Sequence, residues 1–293
     1  MDEQKPIYSH NPYHAEGFPL LVLDVKRQLC QPFNEGFRVL HWHNEIQFIY
    51  VIEGMIHAKI YDTELDVSAG NCLFINFNAL HLIAEKENCR YHSFLIPEQM
   101  LAFFSGSTMQ QKEVHPVIHN PVLTYYLLSA NNPEHQTILA KIQELDTTYF
   151  SGDRKDHFEY RISIMITVVW LELIKLLPDF QEGYRNIKYE RIQTLLSFIH
   201  ANYRETISIK EIARSASISK TECVRCFQKF IGESPYQYLI KYRLQASVSL
   251  LRNTENSVTD IAAEVGFHSV SAYISHFQKQ YRTTPAKFRR QPL

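Results

Sequence analysis

From residue 18 to residue 100 the apolar positions come as short runs broken by turn residues. Phe37–Leu40 and Ile46–Ile52 are β-rich, and Gly54 follows as a turn signal. Beyond it Met55, His57, Lys59 and Tyr61 alternate with Ile56, Ala58 and Ile60. A period of two puts one set on each face of a strand. Several such runs predict an antiparallel sandwich or small barrel. From about residue 121 the period lengthens. Glu134–Phe150 and Asp156–Leu177 have helical spacing, and Pro178 closes the second. In that second helix Phe158, Ile162, Met165, Val169 and Leu173 form a stripe, which Ile164, Val168, Leu171 and Ile174 widen. Such a helix packs within its own domain or also supplies a dimer surface. Residues 178–186 are polar and carry Pro and Gly, which predicts a linker. After it only short helical patterns follow.

Those late helices repeat with a period of about 50 residues. Ile212-Ala213 matches Ile261-Ala262, Phe227-Gln228-Lys229 matches Phe277-Gln278-Lys279, and Pro235 matches Pro285. The spacing grows from 49 to 50 between the first and second matches, so the second copy carries one extra residue in its turn. Each copy reads as helix-turn-helix. Ser208 and Ser257 are N-cap residues with Glu211 and Asp260 three positions on. Gly266 suits a tight turn, where the first copy has Ser217. Ser219 and Ser269 open the second helices, and Pro235 and Pro285 suit the first position of the helices that follow. The segment from Tyr236 to Asn253 predicts one helix of roughly 27 Å. That length could hold two recognition helices in successive major grooves about 34 Å apart.

Charge separates the same two regions. Residues 188–293 carry 16 Lys+Arg against 8 Asp+Glu, a balance of +8; residues 1–187 carry 14 against 23, a balance of −9. The formal total of −1 describes neither. A basic C-terminal half points to a polyanion partner. The composition, 45% hydrophobic and 21% charged, excludes a disordered chain. The start has no leader-like apolar run. The most apolar segment, Ile162 to Leu177, is short and holds Glu172 and Lys175, so no membrane span is predicted. Five cysteines fit a reduced cytoplasmic protein. Cys223 and Cys226 lie mid-helix with no second pair, and read as packing residues rather than a redox or zinc motif.

The paired motifs, the P-Y-x-Y-L-I-x-x-R-L-x-A segment from Pro235, I-A-x-x-V-G-F from Ile261 and T-P-x-x-F-R from Thr284 resemble the DNA-binding domain of AraC/XylS transcriptional regulators. The resemblance covers residues 190–290 in order and spacing. It implies that the outer faces of the two recognition helices read DNA. The first offers Ser219, Lys220, Thr221, Val224 and Arg225, with Cys223 and Phe227 on the buried side. Arg225 is the best base reader, since a guanidinium can bond guanine bidentately; a phosphate contact is the alternative. The second offers Val270, Ser271, Ala272 and Ser275. Such regulators often have Arg where Ser275 stands, so this copy is expected to lean on phosphate contacts from Lys279, Lys287, Arg289 and Arg290.

A second cluster lies upstream. His41, His43, Gln47 and Gly54, then Gly70, Asn76, Asn78 and His81, resemble the two cupin motifs, with Gln47 in place of the acidic ligand and Asn76 and Asn78 in place of Pro and Gly. AraC-type regulators commonly carry a cupin-like effector domain. His41 and His43 share one strand face. With His81, and with Gln47 as a weaker donor, they are candidate metal ligands, although the missing carboxylate argues against an oxygenase. The preferred reading is an effector pocket lined by Arg38, His41, His43, Glu45, Gln47, Asn78 and His81, with no cofactor. Phe37, Tyr50 and Phe74 are further candidates. Trp42 would stack on a sugar ring if it shared their face, but a regular strand turns it to the other.

The expected architecture is α+β and multidomain: a cupin-like β-barrel with helices, then an all-α domain with two helix-turn-helix motifs joined by a linker helix. The expected division is a sensor over 1–112, a helical dimerisation and support region over 113–178, a linker over 179–187 and a DNA-binding domain over 188–293. The expected function is a one-component transcription regulator, an activator by resemblance, not an enzyme. Its expected partners are promoter DNA, a small cytosolic effector of the carbohydrate or related class, RNA polymerase and a second copy of the chain. The alternatives are a metal-dependent cupin enzyme with an accessory DNA-binding domain, and an effector-independent DNA binder.

Overall fold

The computed structural model describes residues 7–9, 11, 17–27, 29–34, 36–120, 122–152, 154, 156–177 and 187–290. Contacts divide the chain into two units, Met1–Glu190 and Arg191–Leu293. The first combines sheet and helices; the second is helical among the described residues. The expected linker at 179–187 lies outside the described residues except for Ile187, which opens a helix.

Among the described residues of the first unit nine strands form one sheet: β1 (Ile7–Tyr8), β2 (Leu21–Lys26), β3 (Leu29–Gln31), β4 (His41–Trp42), β5 (Glu45–Ile60), β6 (Thr63–Ser68), β7 (Cys72–Ile75), β8 (His81–Pro97) and β9 (Tyr125–Leu128). Among the described residues the hydrogen-bonded path runs β1-β4-β8-β5-β7-β9, with β1 and β4 parallel. β5 and β8 are the spine, in register from Glu45↔Pro97 to Ile60↔His81. Gly54 does not end a strand, as its turn signal suggested. It sits inside β5 at φ +67°, where a Cβ would come within 2.2 Å of the Glu87 carbonyl. Only glycine tolerates that approach, and the result is an irregularity between Val51 and Ile56. Before it β5 pairs with β7; beyond it, with β6.

The predicted strand at Phe37–Leu40 is instead a run of turns. Asn34 Oδ1 accepts from the Gly36 amide, the Val39 amide donates to the Gly36 carbonyl, and Arg38 adopts φ +61°. A left-handed residue breaks the extended run that its β-rich neighbours favoured.

Helices α1 (Glu98–Ala102) and α2 (His115–Ile118) lie between β8 and β9, and α3 (Gln136–Phe150) and α4 (Phe158–Leu176) follow β9. A π-helical turn, Gln110–Val114, runs into α2. One core joins Phe48, Phe74 and Phe94 of the sheet to Ile142 of α3 and to Ile162, Val169 and Leu173 of α4. Each buried aliphatic side chain there is worth about 1.5–3 kcal/mol. In the α4 stripe Ile166 is buried and Met165 only half-buried, while Tyr160, Ile164 and Leu171 stay exposed.

The second unit holds α5 (Ile187–Asn202, whose first turn precedes the division), α6 (Ile209–Ser215), α7 (Lys220–Phe230), α8 (Pro235–Asn253), α9 (Val258–Glu264), α10 (Val270–Tyr281) and α11 (Pro285–Arg290). Local chemistry sets these ends. Ser208 and Glu211 form a capping box, Ser234 and Gln237 form another, and Ser219, Ser257 and Ser269 each accept from a backbone amide three residues on. The α6–α7 turn occupies residues 216–219 and the α9–α10 turn residues 265–269, which absorbs the extra residue of the second copy. Ser217 adopts φ +54° and Gly266 φ +89°. At Gly266 a Cβ would meet the Tyr203 carbonyl at 2.6 Å. Leu244, Val248 and Leu251 of α8 pack with Ile261, Val265 and Phe277 of the second motif.

Candidate effector site and DNA-binding surface

β4 and β8 pair at His41↔His81, so the two imidazoles are neighbours across strands. Their ring centroids are 4.2 Å apart, and His43 lies 5.6 Å from His41 and 5.0 Å from His81. All three are buried. His41 Nδ1 donates to the Val39 carbonyl at 2.7 Å, and His81 Nδ1 to the Ala79 carbonyl at 2.8 Å. A carbonyl only accepts, so the hydrogen of each neutral ring sits on Nδ1 and the lone pair on Nε2. Burial, then the neighbouring histidines, lower the pKa of His41 to about 3 and that of His81 well below the usual imidazole range. His81 Nε2 is buried without a protein partner. His43 Nδ1 lies 3.1 Å from the Glu45 carbonyl and 3.4 Å from its carboxylate. One donor atom from each histidine lies within 4.8 Å of the other two. Three imidazoles, two of them with the ring hydrogen fixed on Nδ1 by a backbone carbonyl, are a donor set that fits zinc or iron. Gln47 Oε1 is 3.2 Å from His43 Nε2, while its amide nitrogen donates to Ser93 Oγ at 2.7 Å.

A recess opens beside this cluster. The recess itself is small, about 20 Å³, and its mouth opens to solvent. Arg38, His41 and Gln47 line it, with Phe37, Tyr91 and Ser93. Arg38 is at the exposed side, its guanidinium 3.5 Å from Glu85 and stacked near the Phe37 ring. Burial raises the Tyr91 phenol above its ordinary range, so it stays a neutral hydroxyl. Guanidinium, amide, hydroxyl, phenol and imidazole beside an aromatic face are the groups that bind a small polyhydroxylated molecule.

The other expected pocket residues stand elsewhere. His43 and His81 belong to the histidine cluster and do not line the recess. Glu45 is buried at the start of β5 beside His43. Asn78 adopts φ +57°, its amide donates to the His43 carbonyl, and its carbonyl accepts from Tyr61; it shapes the turn before β8. Phe74 and Tyr50 face the core under α3 and α4. Trp42 is buried on the opposite face, edge-on to Tyr8 at 6.1 Å. Sequence reasoning missed Asn34, Tyr91 and Ser93. The signal for two of them was the alternation Tyr91, Ser93, Leu95 along β8, all three of which line the recess.

On α7, Lys220, Thr221, Val224 and Arg225 are exposed, and Cys223, Cys226 and Phe227 are buried. The cysteines are free, as packing residues would be. The Ser219 hydroxyl caps the helix by accepting from the Glu222 amide at 3.1 Å. Arg225 pairs with Glu222, which also lies 3.8 Å from Arg191. On α10, Ser271, Ala272, Ser275 and Lys279 are exposed and Val270 half-buried, while Tyr273 and Phe277 are buried. Lys287 and Arg290 of α11 are exposed. Arg289 departs from the phosphate role expected of it. It is half-buried and donates to the Leu251 carbonyl at 3.2 Å and the Asn256 carbonyl at 2.6 Å, satisfying backbone at the end of α8.

The known proteins agree with this division. Residues 33–145 match an AraC-like ligand binding domain, and residues 212–291 match a helix-turn-helix domain. The chain is 30% identical over 276 residues to the uncharacterized HTH-type transcriptional regulator YdeC of Bacillus subtilis, covering 92% of each. The chain belongs to the AraC family of transcriptional regulators.

Two further members of that AraC family set its range. The transcriptional activator RhaR of Mannheimia succiniciproducens is 24% identical over 292 residues, 96% of this chain and 95% of its own. The lactose operon transcription activator of Staphylococcus xylosus is 23% identical over 197 residues, 60% and 70% of the two chains. This AraC-family chain is thus a transcription regulator with a ligand-binding and a DNA-binding domain, not an enzyme. Among the described residues no helix is long and apolar enough to cross a membrane.

Proposed function

We propose that this regulator activates transcription in the cytoplasm in response to a small carbohydrate or related metabolite bound in the recess. The carrying observation is the lining: Arg38, His41, Gln47, Tyr91 and Ser93 gather polar groups around the Phe37 face. The lactose operon activator among its relatives supports that chemical class.

In this reading the chain divides into a sensor over 1–112, helical support over 113–178, a linker over 179–187 and a DNA reader over 188–293; the contact division after Glu190 supports the last boundary. The exposed α4 residues Tyr160, Ile164 and Leu171 supply the surface for a second copy. Arg225 reads a base, Lys220, Thr221 and Val224 pack around it, and Lys279, Lys287 and Arg290 meet phosphates. Ser271, Ala272 and Ser275 face the second groove, with Val270 beside them. RNA polymerase is the partner of the DNA-bound form.

Effector occupancy shifts the population of the DNA-competent state, and linkage makes the effect reciprocal. The test is a thermal-shift screen of mono- and disaccharides against the full chain, followed by promoter binding with and without each hit. A hit must change DNA affinity by the factor by which DNA changes its own. No stabilising sugar, or a hit without any such change, overturns the reading.

A further inference from the structure

A second cluster of ligating side chains lies outside the recess. Glu98 opens α1 directly after β8, and its Oε1 is 2.8 Å from His115 Nε2. His119 follows one turn later, its ring centroid 5.0 Å from that of His115. One donor atom from each of Glu98, His115 and His119 lies within 4.8 Å of the other two. In a tetrahedral zinc site with bonds of about 2.0–2.2 Å, ligand atoms stand roughly 3.3–3.5 Å apart. Small side-chain rotations therefore close the set.

The surroundings hold these side chains in place. Gln110 Nε2 donates to Glu98 Oε1, and Gln110 Oε1 accepts from the Gly106 amide at 2.6 Å. The Phe77 ring meets His119 edge-on at 5.7 Å. Asn76 Nδ2 donates to the Val117 carbonyl at 2.9 Å and to the Leu123 carbonyl at 2.8 Å, which ties α2 to the end of β7. Outer partners of this kind are what orient metal ligands. The cluster is also reachable, since His119 is exposed and His115 half-exposed.

We propose that Glu98, His115 and His119 bind one divalent transition-metal ion of the zinc class, with a fourth position open to solvent. Two histidines from one helical turn plus a carboxylate from another element form a recurrent zinc donor set. The ion joins the β8–α1 corner to α2. It also fixes one end of the segment 76–81, in which Phe77 touches His119, Asn78 bonds the His43 carbonyl and His81 enters the buried cluster. Metal supply would then be felt beside the recess.

The test uses the full chain, stripped with a chelator and titrated with Zn²⁺ by calorimetry and with Co²⁺ by visible absorption. The buried three-histidine cluster offers its own donors, so equivalents are compared between proteins. His115→Ala/His119→Ala should lose one equivalent relative to wild type. Gln110→Ala, which removes the partner that orients Glu98 along with its bond to the Gly106 amide, should weaken the same equivalent about tenfold to a hundredfold. Circular dichroism of the metal-free proteins checks folding, and Gln110→Ala decides alone if the double variant unfolds. No metal uptake by wild type overturns the proposal. So do unchanged equivalents in the folded double variant, or unchanged affinity in Gln110→Ala. Sugar binding in the recess is scored separately, so failure of either reading leaves the other standing.

Discussion

Arg225 is paired with Glu222, one turn behind it on the exposed face of α7. The strongest candidate base reader is thus held by a carboxylate that must yield it to DNA.

Arg225→Ala should weaken binding to the cognate promoter about tenfold to a hundredfold and relax preference at one base pair. Glu222→Gln should tighten binding to cognate and scrambled DNA alike, because it removes both the competitor and a charge that repels phosphates. Fluorescence anisotropy on the two duplexes measures both. Equal losses on cognate and scrambled DNA for Arg225→Ala would remove its base-reading role.

Affinity for DNA should fall steeply with salt, as expected of a unit with a +8 balance that displaces counterions. Lys287→Ala should reduce the slope of log K against log salt by about one contact and lower affinity similarly on every sequence. A flat titration contradicts the phosphate-binding surface.

Arg38→Ala should raise the effector dissociation constant about tenfold with little effect on folding. The side chain is partly exposed at the recess, and its Glu85 pair, at 3.5 Å, is a weak one. Calorimetry with the best sugar from the screen gives the constant, and the melting temperature without sugar serves as the control.

The buried histidines predict acid sensitivity of the metal-free sensor. In the unfolded chain each titrates near pH 6.5, whereas His41 in the fold does so at about 3, and His81 also far below its usual value. Between those limits the unfolded state binds more protons, so stability is full above about pH 6.5 and falls as pH drops. The slope approaches 1.4 kcal/mol per pH unit for each histidine. Melting curves from pH 7.5 to pH 5, taken in chelator, should show the loss, and His41→Asn should reduce it.

Ser217→Gly should stabilise the first helix-turn-helix by about 1 kcal/mol, since Ser217 pays for a left-handed conformation that glycine adopts freely. Gly266→Ala should destabilise the second by about 1–3 kcal/mol, because the new methyl meets two carbonyl oxygens and a strained φ. Chemical denaturation of the two variants tests both signs.

The second unit was legible because its determinants are local. Serine caps, Pro235, the Gly266 turn and the 49-to-50 spacing each act within a few residues, and each reappears in the fold. The sensor was legible only in part. His41 and His43 could be placed together from strand period, but Tyr91 and Ser93 reach the recess only because β8 lies between β2 and β5 over residues 90–95. Gly54 read as a turn because its partner, the Glu87 carbonyl, is 33 residues away in the chain. Phe37–Leu40 read as a strand because nothing in those residue types announces the left-handed Arg38.

Two arginines in the basic unit never face a polyanion squarely. Arg243 is buried and donates to the Tyr203 and Glu205 carbonyls, much as Arg289 serves the Leu251 and Asn256 carbonyls. Each is a fixed cation solvating a helix end from within. The formal charge of such a unit is therefore an upper bound on the ions it can release from DNA. Two homologous readers with equal Lys+Arg content will differ in salt dependence according to how many of those side chains the fold has already claimed.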